Sequence, residues 1–220
     1  MSKICIDTII FDFDSTVLRG EMLEILAEVK LRDHPLKRTL LDRIKDITNQ
    51  GMDGKISFYE SLSRRLQLLG LDEKNLKDAL PKIKSLINIE YLDFMSSVND
   101  KNVYIISGGY SNVLDNLSQE LRLNKSNLFA VRLYFKNGIF SHLDTKDPLI
   151  QSNGKAVVAK SILNRGKTVM VGDGMTDYQV KLLGAADYFV AYKGVVERKE
   201  VCEKADFVID DLRLLQNIFV

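Results

Sequence analysis

Short runs of apolar residues, mostly β-branched or aromatic, recur along the chain: Thr8-Ile9-Ile10-Phe11, Val103-Tyr104-Ile105-Ile106, Thr168-Val169-Met170-Val171, Tyr188-Phe189-Val190 and Phe207-Val208-Ile209. Within each run the apolar positions are continuous rather than alternating with polar ones. That is the pattern of strands covered on both faces of a parallel sheet. Helical periodicity fills several of the gaps, over Ser111 to Leu121, Lys155 to Leu163 and Asp177 to Leu183. Strand followed by helix, repeated, predicts an α/β fold with a doubly wound, parallel, Rossmann-like sheet.

Between about Leu18 and Lys84 the rhythm changes to amphipathic helices, with Leu62, Leu66 and Leu69 at helical spacing. Pro35, Gly51, Gly54, Gly70 and Pro81 punctuate the stretch. The expected organisation is an α/β core over 1–17 and 85–220, with a small helical cap domain over 18–84 inserted after the first strand. A second interruption, Leu133 to Phe140, has Asn137-Gly138 between two apolar runs and predicts a β-hairpin. No internal repeat or low-complexity segment is visible.

Composition narrows the picture mainly by exclusion. The 220 residues are 45% hydrophobic and 28% charged, enough for one good core and a smaller lobe. Lys and Arg number 31 against 30 Asp and Glu, for a net charge of +1. With no basic stripe or acidic block, nothing points to nucleic acid. No run approaches the ~18 apolar residues of a membrane span, and the apolar start is too short for a signal peptide, so no membrane partner is expected and the location reads as cytoplasmic. Cys5 and Cys202 have no metal-type spacing; Cys5 reads as a buried free thiol in the first strand.

The candidate chemistry collects at strand ends. The first run leads into Asp12-Phe13-Asp14-Ser15-Thr16. Two carboxylates at i and i+2 would point the same way in extended chain, and like charges that close call for a cation. A strand exit with Asp14 or Ser15 capping the next helix would use the same residues. The run ending at Val171 leads into Gly172-Asp173-Gly174-Met175-Thr176-Asp177, bringing two more carboxylates to the sheet edge, where substrates of such folds bind. Asp177 near a helix start also has a plain electrostatic reading. Four carboxylates from two strand ends suit magnesium, which takes hard oxygen ligands. Ser107-Gly108-Gly109 offers a hydroxyl and backbone amides for an anion, although an ordinary strand-to-helix turn looks the same. Lys155 alone would be a solvated surface charge; its meaning depends on its neighbours.

Taken in order, Asp12-x-Asp14-x-Thr16, Ser107, Lys155 and Gly172-Asp173-Gly174-x-x-Asp177 resemble the haloacid dehalogenase superfamily of phosphohydrolases, over nearly the whole chain. The resemblance implies Asp12 as nucleophile and Asp14 as the acid and base. It implies Mg2+ held by Asp12, the Asp14 carbonyl and Asp173. Phosphate would be bound by Ser107, Gly108 and Lys155, with Asp177 orienting Lys155. Within the superfamily the chain is similar to the phosphoserine phosphatases. Glu21 stands where that family binds the substrate ammonium, and Arg65, in Met52-x-Gly54-Lys55-Ile56-x-Phe58-x-x-Ser61-Leu62-x-x-Arg65, where it binds the carboxylate. Met52 and Phe58 would shield the site. A glutamate and a bidentate arginine together can read an amino acid.

Thr176 matches the eukaryotic-type members of that family. Val131 replaces an Asn usual in the family, which bears on substrate recognition rather than on the chemistry. The expected substrate is a small phosphorylated amino acid or similar metabolite. Transfer to another alcohol by the same fold, or hydrolysis of a different small phosphomonoester, are the alternatives. A phosphoaspartate switch without turnover fits poorly, because such domains lack the counterparts of Asp14 and of the insert.

Overall fold

The structure is a computed structural model and describes residues 3–52, 55–98, 102–162 and 166–220. Along the chain run β1 (Thr8–Phe11), α1 (Met22–Lys30), α2 (Lys37–Met52), α3 (Phe58–Leu69), α4 (Glu73–Ser85) and α5 (Ile89–Ser97). Next come β2 (Asn102–Tyr110), α6 (Ser111–Leu114), β3 (Leu128–Val131), β4 (Leu133–Lys136), β5 (Ile139–Leu143) and α7 (Gly154–Ile162). The chain ends with β6 (Thr168–Gly172), α8 (Met175–Leu182), β7 (Tyr188–Tyr192), α9 (Lys199–Cys202), β8 (Phe207–Ile209) and α10 (Leu215–Ile218).

Six strands form one parallel sheet in the order β3-β2-β1-β6-β7-β8. β1 lies at its centre and every residue of it is buried, which explains its unbroken apolar run. Phe11 pairs with Ile105 of β2 on one side and with Val171 of β6 on the other. The chain leaves β1 towards β2 and leaves β6 towards β7. The sheet therefore reverses its winding between β1 and β6, and a crevice opens at their carboxyl ends.

Helices α1 to α4 occupy the interval between β1 and α5. On α3, Leu62, Leu66 and Leu69 are buried as their spacing predicts. Ser57 accepts from the Glu60 amide at its start, and Gly70 ends it with φ 54°. The chain crossing into these helices and the chain returning from them are bonded together. Leu18 bridges Ile87, the Arg19 amide donates to the Leu86 carbonyl (2.9 Å), and the Asn88 amide donates to the Val17 carbonyl (2.8 Å). Asn88 Nδ2 also donates to the Tyr192 hydroxyl (2.9 Å), which donates to Glu90 (2.9 Å), so this crossing is riveted to β7.

Several sequence expectations change. Gly51 and Pro81 lie inside α2 and α4 instead of between helices. At Gly51 the reason is packing, since a Cβ there would stand 2.7 Å from Ser61 Oγ on α3. Gly54 and Leu163 fall outside the described residues. The helix expected over Ser111 to Leu121 is regular only to Leu114. Leu117 and Leu121 are buried as the pattern required, but the Asn116 and Leu117 amides bond three residues back, in a tightened turn. Cys5 is exposed and lies outside β1, because the chain before Thr8 pairs with the carboxyl terminus at the rim (Ile4 with Phe219). The hairpin forms as β4 and β5, with Asn137 and Gly138 both at positive φ (52° and 78°). Its tip meets the insert: the Phe140 amide donates to Leu71 (2.8 Å), and the Glu73 amide to Gly138 (3.0 Å).

Candidate active site

β1 ends at Phe11, and the next carboxylate, Asp12, sits in the crevice between β1 and β6. It is 7% exposed. Its Oδ1 accepts from the Phe13 amide (2.7 Å) and from Lys155 Nζ (2.6 Å). The chain then makes a five-residue turn closed by the Leu18 amide on the Phe13 carbonyl (2.7 Å), with Ser15 in the left-handed region (φ 53°). Its side chain explains why that conformation is held: Ser15 Oγ donates to Glu21 Oε1 at 2.7 Å.

Asp14 accepts the first amide of α1, that of Met22, on Oδ1 (2.8 Å). The capping alternative raised by the sequence is therefore real, but it uses one oxygen. Asp14 Oδ2 faces Gly109, where a Cβ would stand 3.4 Å from it. Asp177 is likewise doubly used: Oδ2 accepts from the Gly174 amide at the start of α8 (2.9 Å), and Oδ1 from Lys155 (2.7 Å). Lys155 thus joins the two strand ends from its place in the first turn of α7.

On the β2 side, Ser107 is fully buried and its Oγ accepts from the Gly109 amide (2.8 Å), which leaves the hydroxyl proton for another acceptor. The β2–β3 register skips Gly108 and Gly109, so the backbone there leaves the ladder. Because α6 is a single turn, the anion-binding case rests on these groups and not on a long helix dipole. Phe58 reaches over from α3, its ring tip 3.8 Å from where a Gly108 Cβ would lie. Arg65, also on α3, donates through Nε to the Ser61 carbonyl (3.2 Å). Burial pushes its pKa down, opposed by Tyr110 and Glu21 beside it. Met52 ends α2 and its side chain falls outside the described parts. Val131 is fully buried at the end of β3, in register with Tyr110.

One residue was not among the expected site residues. Arg198 precedes α9 and its Nε donates to Asp173 Oδ2 at 2.9 Å. It stands far along the chain from any motif, and only the turn after β7 brings it back to the crevice.

The charges do not balance. Asp12, Asp173 and Asp177 offer oxygens within 4.8 Å of one another. Burial raises the pKa of Asp12 well above the usual range, with Asp177, Asp173 and Asp14 adding to it against Lys155. Burial and then Glu21 push Asp14 to about 7. Burial and then Asp177 push Asp173 to about 6, against Arg198. Burial works against the Lys155 ammonium, yet Asp12 and Asp177 overcome it and raise its pKa. With all four carboxylates ionised, Lys155 and Arg198 would leave two negative charges over, which a divalent cation would offset. The all-oxygen donor set suits a hard ion such as magnesium.

A family model described as haloacid dehalogenase-like hydrolase matches residues 6–180. The chain belongs to that family. A chloroplastic phosphoserine phosphatase of Arabidopsis thaliana is 31% identical, over 96% of this chain and 71% of that one. A phosphoserine phosphatase of Bos taurus is 29% identical, over 93% and 89%. A crystal structure of a phosphoserine phosphohydrolase-like protein from Francisella tularensis superposes with a TM-score of 0.81 at 32% identity, covering 96% of this chain and 98% of that one. No described helix is long and apolar enough to cross a membrane.

The crowded carboxylates give a signed expectation for stability. The folded-state pKa values of Asp14 (about 7) and Asp173 (about 6) lie above the ordinary carboxylate value of the unfolded chain, so between these limits the folded chain binds more protons than the unfolded one. Their favourable contribution is complete below about pH 4 and is lost as pH rises through 6 to 7. In chelator, Tm should therefore fall by roughly 5 °C or more from pH 5 to pH 8, and magnesium should restore most of it at pH 8. A thermal melt series checks this; a Tm that is level or rises over that interval contradicts it.

Proposed function

We propose that this chain is a phosphomonoesterase that hydrolyses phosphoserine through a phosphoaspartate on Asp12. The observation that carries the reading is the division of the crevice. On the sheet side, Asp12 and Lys155 are paired at 2.6 Å beside Asp173 and Asp177. On the insert side, Glu21 accepts from Ser15 Oγ at 2.7 Å and lies near enough to Arg65 to act on its charge, and the two would face the same opening. The names of the relatives support the same substrate.

Asp12 Oδ2, which makes no hydrogen bond to a described residue, would attack phosphorus while Lys155 holds Oδ1. Asp14, with its pKa near neutrality, would give its proton to the serine oxygen as the P–O bond breaks. As a carboxylate it would then take a proton from the water that attacks the phosphoaspartate, releasing phosphate and restoring Asp12. The Ser107 hydroxyl and the Gly108 amide would hold the phosphate oxygens. Asp177 spends both oxygens on Lys155 and the Gly174 amide, so its part is to orient. Asp12, Asp173 and the Asp14 carbonyl would then hold magnesium, which when bound offsets the charge repelling an anionic phosphate from Asp12. The insert, residues 18–84, would serve as a cap that carries Glu21 to the ammonium and Arg65 to the carboxylate, with Met52 and Phe58 excluding water.

Phosphate release from phosphoserine, phosphoethanolamine and an aryl phosphate, with magnesium or chelator, tests this. Magnesium-dependent preference for phosphoserine is expected. Arg65→Ala should lower kcat/KM for phosphoserine about 100-fold and for the aryl phosphate far less, since one charged, two-pronged contact is lost. Turnover of the aryl phosphate alone would keep the phosphatase and discard the substrate.

A further inference from the structure

We propose that the Tyr110 hydroxyl is a third substrate-reading group, which donates a hydrogen bond to the carboxylate that Arg65 pairs with. This rests on the phosphoserine reading above and adds a residue to it.

The case begins with an unpartnered phenol. Tyr110 is 2% exposed and closes β2. A buried tyrosine hydroxyl normally finds a partner. The other large buried tyrosines do: Tyr91 donates to the Leu121 carbonyl at 2.9 Å, and Tyr192 to Glu90 at 2.9 Å. The Tyr110 backbone amide is also served, by Met22 Sδ at 3.4 Å, but its hydroxyl bonds to no described residue; it is not among the sealed, unpartnered atoms (Thr16 Oγ1, Ser111 Oγ and Gln179 Oε1), so the phenol is buried while its oxygen stays open to a ligand. Val131, paired with it in the sheet, is apolar and fully buried and offers nothing.

The surroundings say what the missing partner is. The charges that act on the hydroxyl are Arg65, Asp14 and Glu21, the insert-side groups of the site together with the acid. Burial holds the phenol protonated and raises its pKa, so it is a donor across the neutral range. Asp14 already accepts from Met22 and Glu21 from Ser15. Arg65 spends Nε on the Ser61 carbonyl, which leaves its terminal amino groups to fork onto a carboxylate. A carboxylate has about four acceptor positions and a guanidinium fork fills two. A protonated phenol close enough to feel the Arg65 charge would fill a third.

Tyr110→Phe keeps the ring and removes only the hydroxyl. The full chain with magnesium is assayed on phosphoserine and on phosphoethanolamine, which lacks the carboxylate. Wild type is expected to prefer phosphoserine. In Tyr110→Phe, KM for phosphoserine should rise about tenfold with kcat within about twofold, and the ratio of kcat/KM between the two substrates should fall about tenfold. In an Arg65→Ala background the same change should move that ratio far less, because the two groups share one target. A ratio left unchanged by Tyr110→Phe, or equal losses on both substrates, overturns the contact alone. A wild-type chain that ignores phosphoserine overturns the substrate reading and the contact with it.

Discussion

Asp12→Asn should abolish turnover of every phosphomonoester the chain accepts, by about four orders of magnitude or more in kcat. The amide keeps the shape of the side chain and an oxygen for the Phe13 amide and Lys155, so positioning survives while the nucleophile is lost. Lys155 also retains Asp177, and removal of a carboxylate whose ionisation burial opposes should leave the fold at least as stable. Phosphate release and a melting curve on the same preparation separate the two effects. Undiminished phosphate release would end the phosphoaspartate mechanism.

Gly172→Ala should be nearly as damaging for a purely steric reason. A Cβ on Gly172 would lie 2.3 Å from Asp177 Oδ2 and 2.8 Å from its Cβ. Asp177 is fully buried and its two oxygens are committed to Gly174 and Lys155, so it has nowhere to go. Either β6 shifts or Asp177 releases Lys155, and both disturb the nucleophile's partner. The expected cost is roughly 100-fold or more in kcat, and about 1–3 kcal/mol of stability. Steady-state kinetics with denaturant unfolding measures both. Wild-type kcat would show that Asp177 does not control Lys155.

The central strands were legible because burial on both sheet faces leaves no room for polar residues, and Thr8 to Phe11 and Thr168 to Val171 show it directly. The acidic residues after them were legible through their spacing. β3 was not, although Leu128 to Val131 is a similar apolar run: it lies at the sheet edge, where Phe129 and Ala130 are only half-buried, and no chemical motif follows it. The extension of β2 to Tyr110 was hidden by Ser107-Gly108-Gly109, which reads as a turn; the glycines bulge out of the ladder and Tyr110 rejoins it opposite Val131. Arg198 and Tyr110 show the general limit. Each acts through a partner distant in sequence, and nothing local marks an arginine that will meet Asp173 or a tyrosine left without a partner.

The two crossings between Val17 and Asn88 lie side by side and are bonded to each other. To the sheet, the whole stretch between them is therefore equivalent to one tight loop, whose length costs little closure entropy. Asp12, Ser107, Lys155, Asp173 and Asp177 all lie outside it, and Glu21 and Arg65 lie inside. The insert can thus vary in length at little cost to the sheet, provided that it keeps both its paired crossing and its bonds to the β4–β5 hairpin at Leu71 and Glu73.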